Sequence, residues 1–249
     1  MVKTPVPCHT PSRIIYSPFS RALVLAAALI TLWGCGIKRP ATDPVMDREA
    51  KALALGARSL NQDIRSSKGT GWLVLDTEGK REKFRVAWAV KAPDRARITL
   101  LASGIPVETI VADGKTVKFL SHTGAHGLHT LSRPDPDLNP FIHIKVRLSR
   151  VLSLLLGQVP MAPFEDAWFS QAPPNNRNIL VKHDFSSPLT RLELATDNTP
   201  QSLAVLDSSG DPRFQIRILS WKELEGRRIP WSISITDSRE RTLVLDLSR

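Results

Sequence analysis

The chain has 249 residues, with 34 Lys or Arg against 24 Asp or Glu and a formal net charge of +10. Its 42% hydrophobic and 23% charged composition is that of an ordinary globular chain, and two cysteines exclude a disulfide framework. No run of five or more basic residues occurs, so the positive balance points away from nucleic acid; it suits anionic head groups or serves solubility alone.

The first feature in chain order is Ala22 to Cys35, ALVLAAALITLWGC, preceded by Lys3, Arg13 and Arg21 and by no acid. A basic lead, a short apolar core and a small residue at the cut describe a secretory signal. At roughly a dozen residues the apolar run is too short for a membrane-spanning helix, which needs about 20. Leu32-Trp33-Gly34-Cys35 resembles the lipobox of bacterial lipoproteins. The resemblance implies diacylglycerylation of the Cys35 sulfur, cleavage before Cys35 and acylation of the new amine. One acyl chain anchors only marginally and several anchor stably. Gly36 stands where an Asp would retain a lipoprotein in the inner membrane, so the resemblance implies the outer membrane, with the protein facing the periplasm. A plain secretory signal that happens to contain a cysteine is the alternative. Cys8 leaves with the signal and Cys35 is acylated, so no thiol remains for catalysis. The remaining chain keeps a net charge of +7, the original +10 less three signal cations. The expected organisation is a signal over 1–34, a lipidated tether over 35–45 and a single domain over 46–249.

Asp43-Pro44 pairs an N-cap residue with proline at the first helical position. Leu53, Ala54, Ala57, Leu60 and Ile64 then keep one face of a helix reaching about Arg65. At Lys68 the period changes to two. Strands are expected over Lys68 to Asp76, Lys83 to Val90, Arg95 to Ala102, Val107 to Ala112 and Thr116 to Ser121. Thr77-Glu78-Gly79-Lys80, Pro93-Asp94, Gly104-Ile105-Pro106 and Asp113-Gly114-Lys115 break them. Phe84, Val86 and Trp88 oppose Lys83 and Arg85, and Ile98 and Leu100 oppose Arg97 and Thr99, so this meander is covered on one face only.

His122 to Pro136 reads as a loop. In FIHIKVRLSRVLSLLLG, Ile142, Ile144, Val146 and Leu148 alternate as a strand would. Phe141, Ile144, Leu148, Val151, Leu152 and Leu155 fit a helix, which the length, the leucines and Gly157 favour. Such a helix, apolar nearly all round, calls for burial on more than one side. Strands return over Ala167 to Ser170, Asn178 to His183, Thr190 to Ala195, Ser202 to Leu206, Arg213 to Trp221, Arg228 to Asp237 and Thr242 to Leu247. Phe214, Ile216 and Ile218 alternate with Arg217, and Trp231, Ile233 and Ile235 with Ser232 and Ser234. The expected fold class is α+β: an antiparallel sheet of about eleven strands curled into an incomplete barrel, with two or three helices packed in its concave face.

The order of helix, five-stranded meander, apolar helix and second run of strands resembles the LolA/LolB superfamily of lipoprotein carriers. Arg97-Ile98-Thr99-Leu100-Leu101 leading into Gly104-Ile105-Pro106 is similar to its third and fourth strands. Leu148 to Val159 followed by Pro160 is similar to its central helix, and Arg228-Ile229-Pro230 with Thr242 to Leu247 to its C-terminal sheet. A lipoprotein signal favours the LolB side. The resemblance implies a receptor that accepts the acyl chains of lipoproteins from a periplasmic lipoprotein carrier and helps insert them in the outer membrane, without covalent chemistry. The driving quantity is acyl surface burial, about 25 cal/mol per Å². The membrane-delivery loop then falls on Gly104, Ile105 and Pro106. Ile105 stands where the family carries an exposed leucine; it could equally be the first inward residue of the next strand. The apolar pocket falls on Phe84, Val86, Trp88, Ile98 and Leu100, on Leu148, Leu152 and Leu155, and on Phe214, Ile216, Ile218, Trp231, Ile233 and Ile235. Each of these also fits plain core.

The expected partners are lipoprotein acyl chains, the carrier, and the outer membrane through Cys35, with the protein a monomer and no cofactor. A second reading is an envelope assembly lipoprotein that uses the same fold to bind a protein or another lipid. His122, His126 and His129 could hold zinc, but no carboxylate or thiol lies nearby in sequence. Asp135 and Asp137 flank Pro136 as turn residues would. No Gly-x-Ser-x-Gly, phosphate loop or HExxH occurs, so no enzyme is expected.

Overall fold

A computed structural model describes residues 44–77, 79–170, 177–184 and 188–248. The signal over 1–34, Cys35, the tether up to 43 and Glu78 of the first turn lie outside the described residues. Helix α1 runs over Pro44–Ser59. Its buried stripe is Ala50, Ala54 and Ala57, whose small side chains let it lie close on the sheet. It ends six residues before the expected Arg65, because Asn61 takes a left-handed φ of 57°, a conformation that asparagine tolerates and that stops a helix.

Six strands follow: β1 Ser66–Thr77, β2 Lys80–Lys91, β3 Arg95–Ala102, β4 Ile105–Asp113, β5 Val117–Ser121 and β6 His129–Leu131. Helices α2 Asn139–Ile142 and α3 Leu148–Leu155 come next. Then come β7 Asp166–Phe169, β8 Arg177–Lys182, β9 Thr190–Leu194, β10 Pro200–Leu206, β11 Pro212–Leu224, β12 Arg227–Asp237 and β13 Thr242–Ser248. All pair antiparallel in one sheet of order β6-β5-β4-β3-β2-β1-β13-β12-β11-β10-β9-β8-β7. Two meanders are therefore joined where β1 meets β13, with Leu73 opposite Leu245 and Leu75 opposite Leu243. The edge strands β6 and β7 do not pair with each other, so the sheet is an incomplete barrel. The segment carrying α2 and α3 runs between these two edges.

The sheet has thirteen strands where about eleven were expected, and all twelve stretches read one by one as strands are among them. The addition is β6, inside the expected loop: Phe119 pairs with His129 and Val117 with Leu131. The other large correction concerns the central helix. His143 takes φ 56°, and Asp137 bridges Arg147. Leu138 N–H donates to Val146 O at 2.8 Å, and Leu148 N–H to Pro136 O at 3.0 Å. The stretch between α2 and α3 is thus extended, which buries the alternating Ile142, Ile144, Val146 and Leu148; only Leu148–Leu155 remains helical.

Leu148, Leu152 and Leu155 join one core cluster with Val86, Ile98, Ile216, Ile233 and Ile235, so α3 packs into the sheet on the same face as α1. Each such side chain adds about 1.5–3 kcal/mol through burial. The opposite face is not wholly open: Trp168, Leu180, Ala204 and Leu206 form a small second cluster on β7, β8 and β10.

Candidate functional site

An open cleft of about 600 Å³ lies where β1 and β2, the end of α3 and the long strands β11 to β13 converge. Its apolar lining includes Trp88, Leu155, Leu156, Ile229, Trp231 and Leu247, and Lys68, Glu225 and Arg227 stand among its polar residues. Trp88 faces Gly69 across the β1–β2 pair. A Cβ at position 69 would lie 2.6 Å from the indole, so glycine is what lets the ring lie flat there. The indole Nε1 donates to Ser67 Oγ at 3.1 Å, which satisfies its only polar atom. The Lys222 ammonium lies 4.1 Å from the centre of a Trp231 ring, a cation–π contact. Arg227 is held by Asp63 at 2.6 Å.

Of the pocket candidates read from the sequence, Trp88, Leu155 and Trp231 meet at this cleft; Trp88 and Leu155 are also buried members of the core, and Trp231 packs against it partly buried. Val86, Ile98, Leu100, Leu148, Leu152, Phe214, Ile216, Ile233 and Ile235 are buried in the core, and Phe84 packs against it partly buried. Ile218 pairs with Ile233 but is half-buried and lies outside the core cluster. Sequence reasoning missed Leu156, Ile229 and Leu247. The signal was present for two of them: Ile229 continues the inward alternation of 231, 233 and 235, and Leu247 that of 243 and 245.

The β3–β4 hairpin has a two-residue turn, Ser103 at φ 50° and Gly104 at φ 83°. Positive φ at both positions is the tight turn that matches strand twist. Ile105 and Pro106 belong to β4 rather than to a break, and Ile105 is 69% exposed at the hairpin tip, not inward. Its partner Ala102 lies four residues from Ile98, the partner of Trp88. The tip and the tryptophan are therefore separated by about 13 Å along the strand.

The histidine loop is built differently from its sequence reading. A carboxylate does lie nearby in space: Glu108 Oε2 is 3.1 Å from His126 Nε2. Burial raises the Glu108 pKa despite the opposing pull of His126. His126 and His129 lie 5.0 Å apart beside Phe141, which stacks on Phe119, while His122 bonds Thr109 Oγ1 at 2.9 Å. Among the described residues no group of three or more His, Cys, Asp or Glu is arranged to hold a metal ion. Asp135 and Asp137 act on the backbone: they accept the Ser149 N–H at 2.8 Å and the Asn139 N–H at 2.9 Å.

No protein-family profile matches the sequence, and no curated protein matches it. Solved structures do match the fold. A LolA superfamily protein of Nitrosomonas europaea superposes with a TM-score of 0.54 at 13% identity, covering 80% of this chain and 91% of its own. A DUF1329 family protein of Desulfovibrio piger gives 0.57 at 10% identity, covering 84% and 92%. A domain from Vibrio parahaemolyticus assigned to outer membrane lipoprotein sorting gives 0.57 at 9% identity, covering 81% and 91%. The chain therefore has the fold of these LolA-superfamily and lipoprotein-sorting structures.

Proposed function

We propose that this chain is a lipid-anchored protein of the outer membrane that binds acyl chains of lipoproteins in the Trp88–Leu155–Trp231 cleft and helps insert them in that membrane. The observation that carries this reading is the cleft itself. It brings the edge of the core, Trp88, Leu155, Leu156 and Leu247, to an open cleft whose wall carries the partly buried Ile229 and Trp231. Its volume of about 600 Å³ lies within the roughly 300–1,000 Å³ typical of small-ligand sites. Transfer needs no bond making: an acyl chain moves toward the site or bilayer that buries more of its surface. Cys35 would supply the anchor, and a periplasmic carrier the cargo. The exposed Ile105 would touch the bilayer during delivery, and Gly104 and Pro106 would fix its position at the tip.

The test uses a form of the chain that begins after Cys35, mixed with a periplasmic carrier loaded with radiolabelled lipoprotein. Label should move to the protein and on to liposomes. Trp88→Asp should weaken uptake, and Ile105→Glu should spare uptake but weaken the onward step. No uptake by the folded protein would contradict the proposal.

A further inference from the structure

A second cleft, of about 710 Å³, opens beside the first half of α3. Arg58, Arg147 and Arg150 line it together with Asp135 and Asp184, and the largely buried Val159, Met161 and Leu203 lie at its floor. Arg150 differs from the ion-paired arginines of this chain. Arg177, Arg227, Arg228 and Arg241 each pair with a carboxylate. Arg150 is half-buried and lays its guanidinium 4.7 Å over the Phe214 ring, and among the described residues no carboxylate or carbonyl accepts its N–H groups. Asp135, which lines the same cleft, is engaged by the Ser149 N–H and by Arg147 at 3.4 Å. Burial and the neighbouring Arg147 both lower the Arg150 pKa, yet a guanidinium stays protonated in proteins.

The guanidinium stacked on Phe214 stays half-buried at the open cleft, where a bound anion can accept its N–H groups. The planar fork of arginine suits an oxyanion, which it can hold through two parallel hydrogen bonds. The cleft is far larger than an inorganic anion needs and falls in the range of about 300–1,000 Å³ that accepts organic ligands. Its volume leaves room for an organic substituent beside the anion, over the floor at Val159, Met161 and Leu203. We propose that Arg150, supported by Arg147 and Arg58, binds the phosphate group of an organic phosphate, either a phospholipid head group or a soluble phosphomonoester, with the apolar part against Val159, Met161 and Leu203. This site is separate from the acyl cleft and does not rest on the reading of that cleft.

The experiment titrates the full chain, held in non-ionic detergent, with four probes by calorimetry: dihexanoylphosphatidylglycerol, phosphate-free dihexanoylglycerol, glycerol 3-phosphate and inorganic phosphate. Saturable binding of at least one phosphate-bearing organic probe is expected. Dihexanoylglycerol should not compete for the site. Arg150→Gln should weaken binding about tenfold or more, the cost of charge-assisted hydrogen bonds. Binding of phosphatidylglycerol alone assigns the site to a lipid; competition by glycerol 3-phosphate assigns it to soluble phosphomonoesters. Should Arg150→Gln not fold, Ser153→Glu provides the second test. It places a carboxylate one helical turn from Arg150, and should abolish phosphate binding while leaving the arginine in place. No binding of either organic phosphate, equal binding of dihexanoylglycerol, or unchanged affinity in a folded Arg150→Gln or Ser153→Glu protein would overturn the proposal.

Discussion

Gln158 donates through Nε2 to the main-chain carbonyl of Asn61 at 3.2 Å, and Asn61 answers through Nδ2 to the carbonyl of Gly157 at 2.7 Å. Asn61 Nδ2 also reaches the Arg228 carbonyl at 2.8 Å, and Gln158 Nε2 the Ile64 carbonyl at 3.3 Å. Two buried amides thus tie together the ends of α1 and α3 and the start of β12, next to the apolar cleft. These bonds bring donors to carbonyls at the helix ends and the strand start; the Asn61 carbonyl also accepts the Ile64 N–H at 3.0 Å.

Asn61→Gly keeps the left-handed backbone but removes the amide. Stability should fall by about 1–3 kcal/mol, the cost of leaving buried carbonyls unpaired. Urea unfolding at unchanged m-value checks it.

Asp237 and Arg241 form the most buried ion pair among the described residues, with side chains 1% and 10% exposed. Asp237 also accepts the Arg239 N–H at 2.9 Å and the Lys145 N–H at 3.3 Å, so the β12–β13 turn holds the extended stretch between α2 and α3. Burial works to raise the pKa of Asp237, but the hydrogen bonds from Arg241, Arg239 and Lys145 prevail and hold it below the ordinary carboxylate value. A depressed folded-state pKa adds stability that is present above the unfolded value, about 3.9, and is lost as pH falls through the folded value. Asp237→Asn should cost about 3–5 kcal/mol at neutral pH by leaving the buried Arg241 charge with no carboxylate, its bond to Asn139 Oδ1 at 3.0 Å remaining. Its stability should also fall less steeply than wild type below about pH 4. Denaturation midpoints at a series of pH values measure both effects.

Gly69→Ala would place a methyl 2.6 Å from the Trp88 indole. The ring must tilt away and lose its bond to Ser67. A destabilisation of about 1–3 kcal/mol is expected from the overpacking, with a change in tryptophan emission. The same variant should bind a fluorescent acyl probe more weakly, because the tilted ring enters the cleft.

Ile105→Glu changes an exposed hairpin tip and should alter stability by no more than about 0.5 kcal/mol. Its effect should appear only where a bilayer is present, as slower release of bound lipoprotein to liposomes. A slowed uptake from the carrier, with release intact, would place Ile105 at the carrier contact instead.

The meanders were legible because period-two alternation is a local signal: Phe84, Val86 and Trp88 announce an inward face whatever the strand pairs with. The same pattern does not separate a packed residue from a lining one. Val86 and Trp88 look alike in sequence, yet only Trp88 reaches the cleft, because the strands end there and α3 stops at Leu155. The break at His143 was illegible for a related reason. Ile142, Ile144, Val146 and Leu148 fit a helix or an extended stretch, and the choice falls to Asp237, 92 residues beyond Lys145. The pairing of Glu108 with His126 and the stop at Asn61 likewise depend on partners that only the folded chain brings near.

The most direct measurement of acyl binding is site-specific photocrosslinking. A photoreactive residue is placed at Trp231 in the cleft or at Leu219, which is 56% exposed and outside it. The protein is then mixed with lipoprotein carrying radiolabelled acyl chains and irradiated. Label attached at position 231 and not at 219 is the predicted result. Equal labelling at both positions, or none at 231 in a folded protein, would contradict the assignment of the cleft to acyl chains.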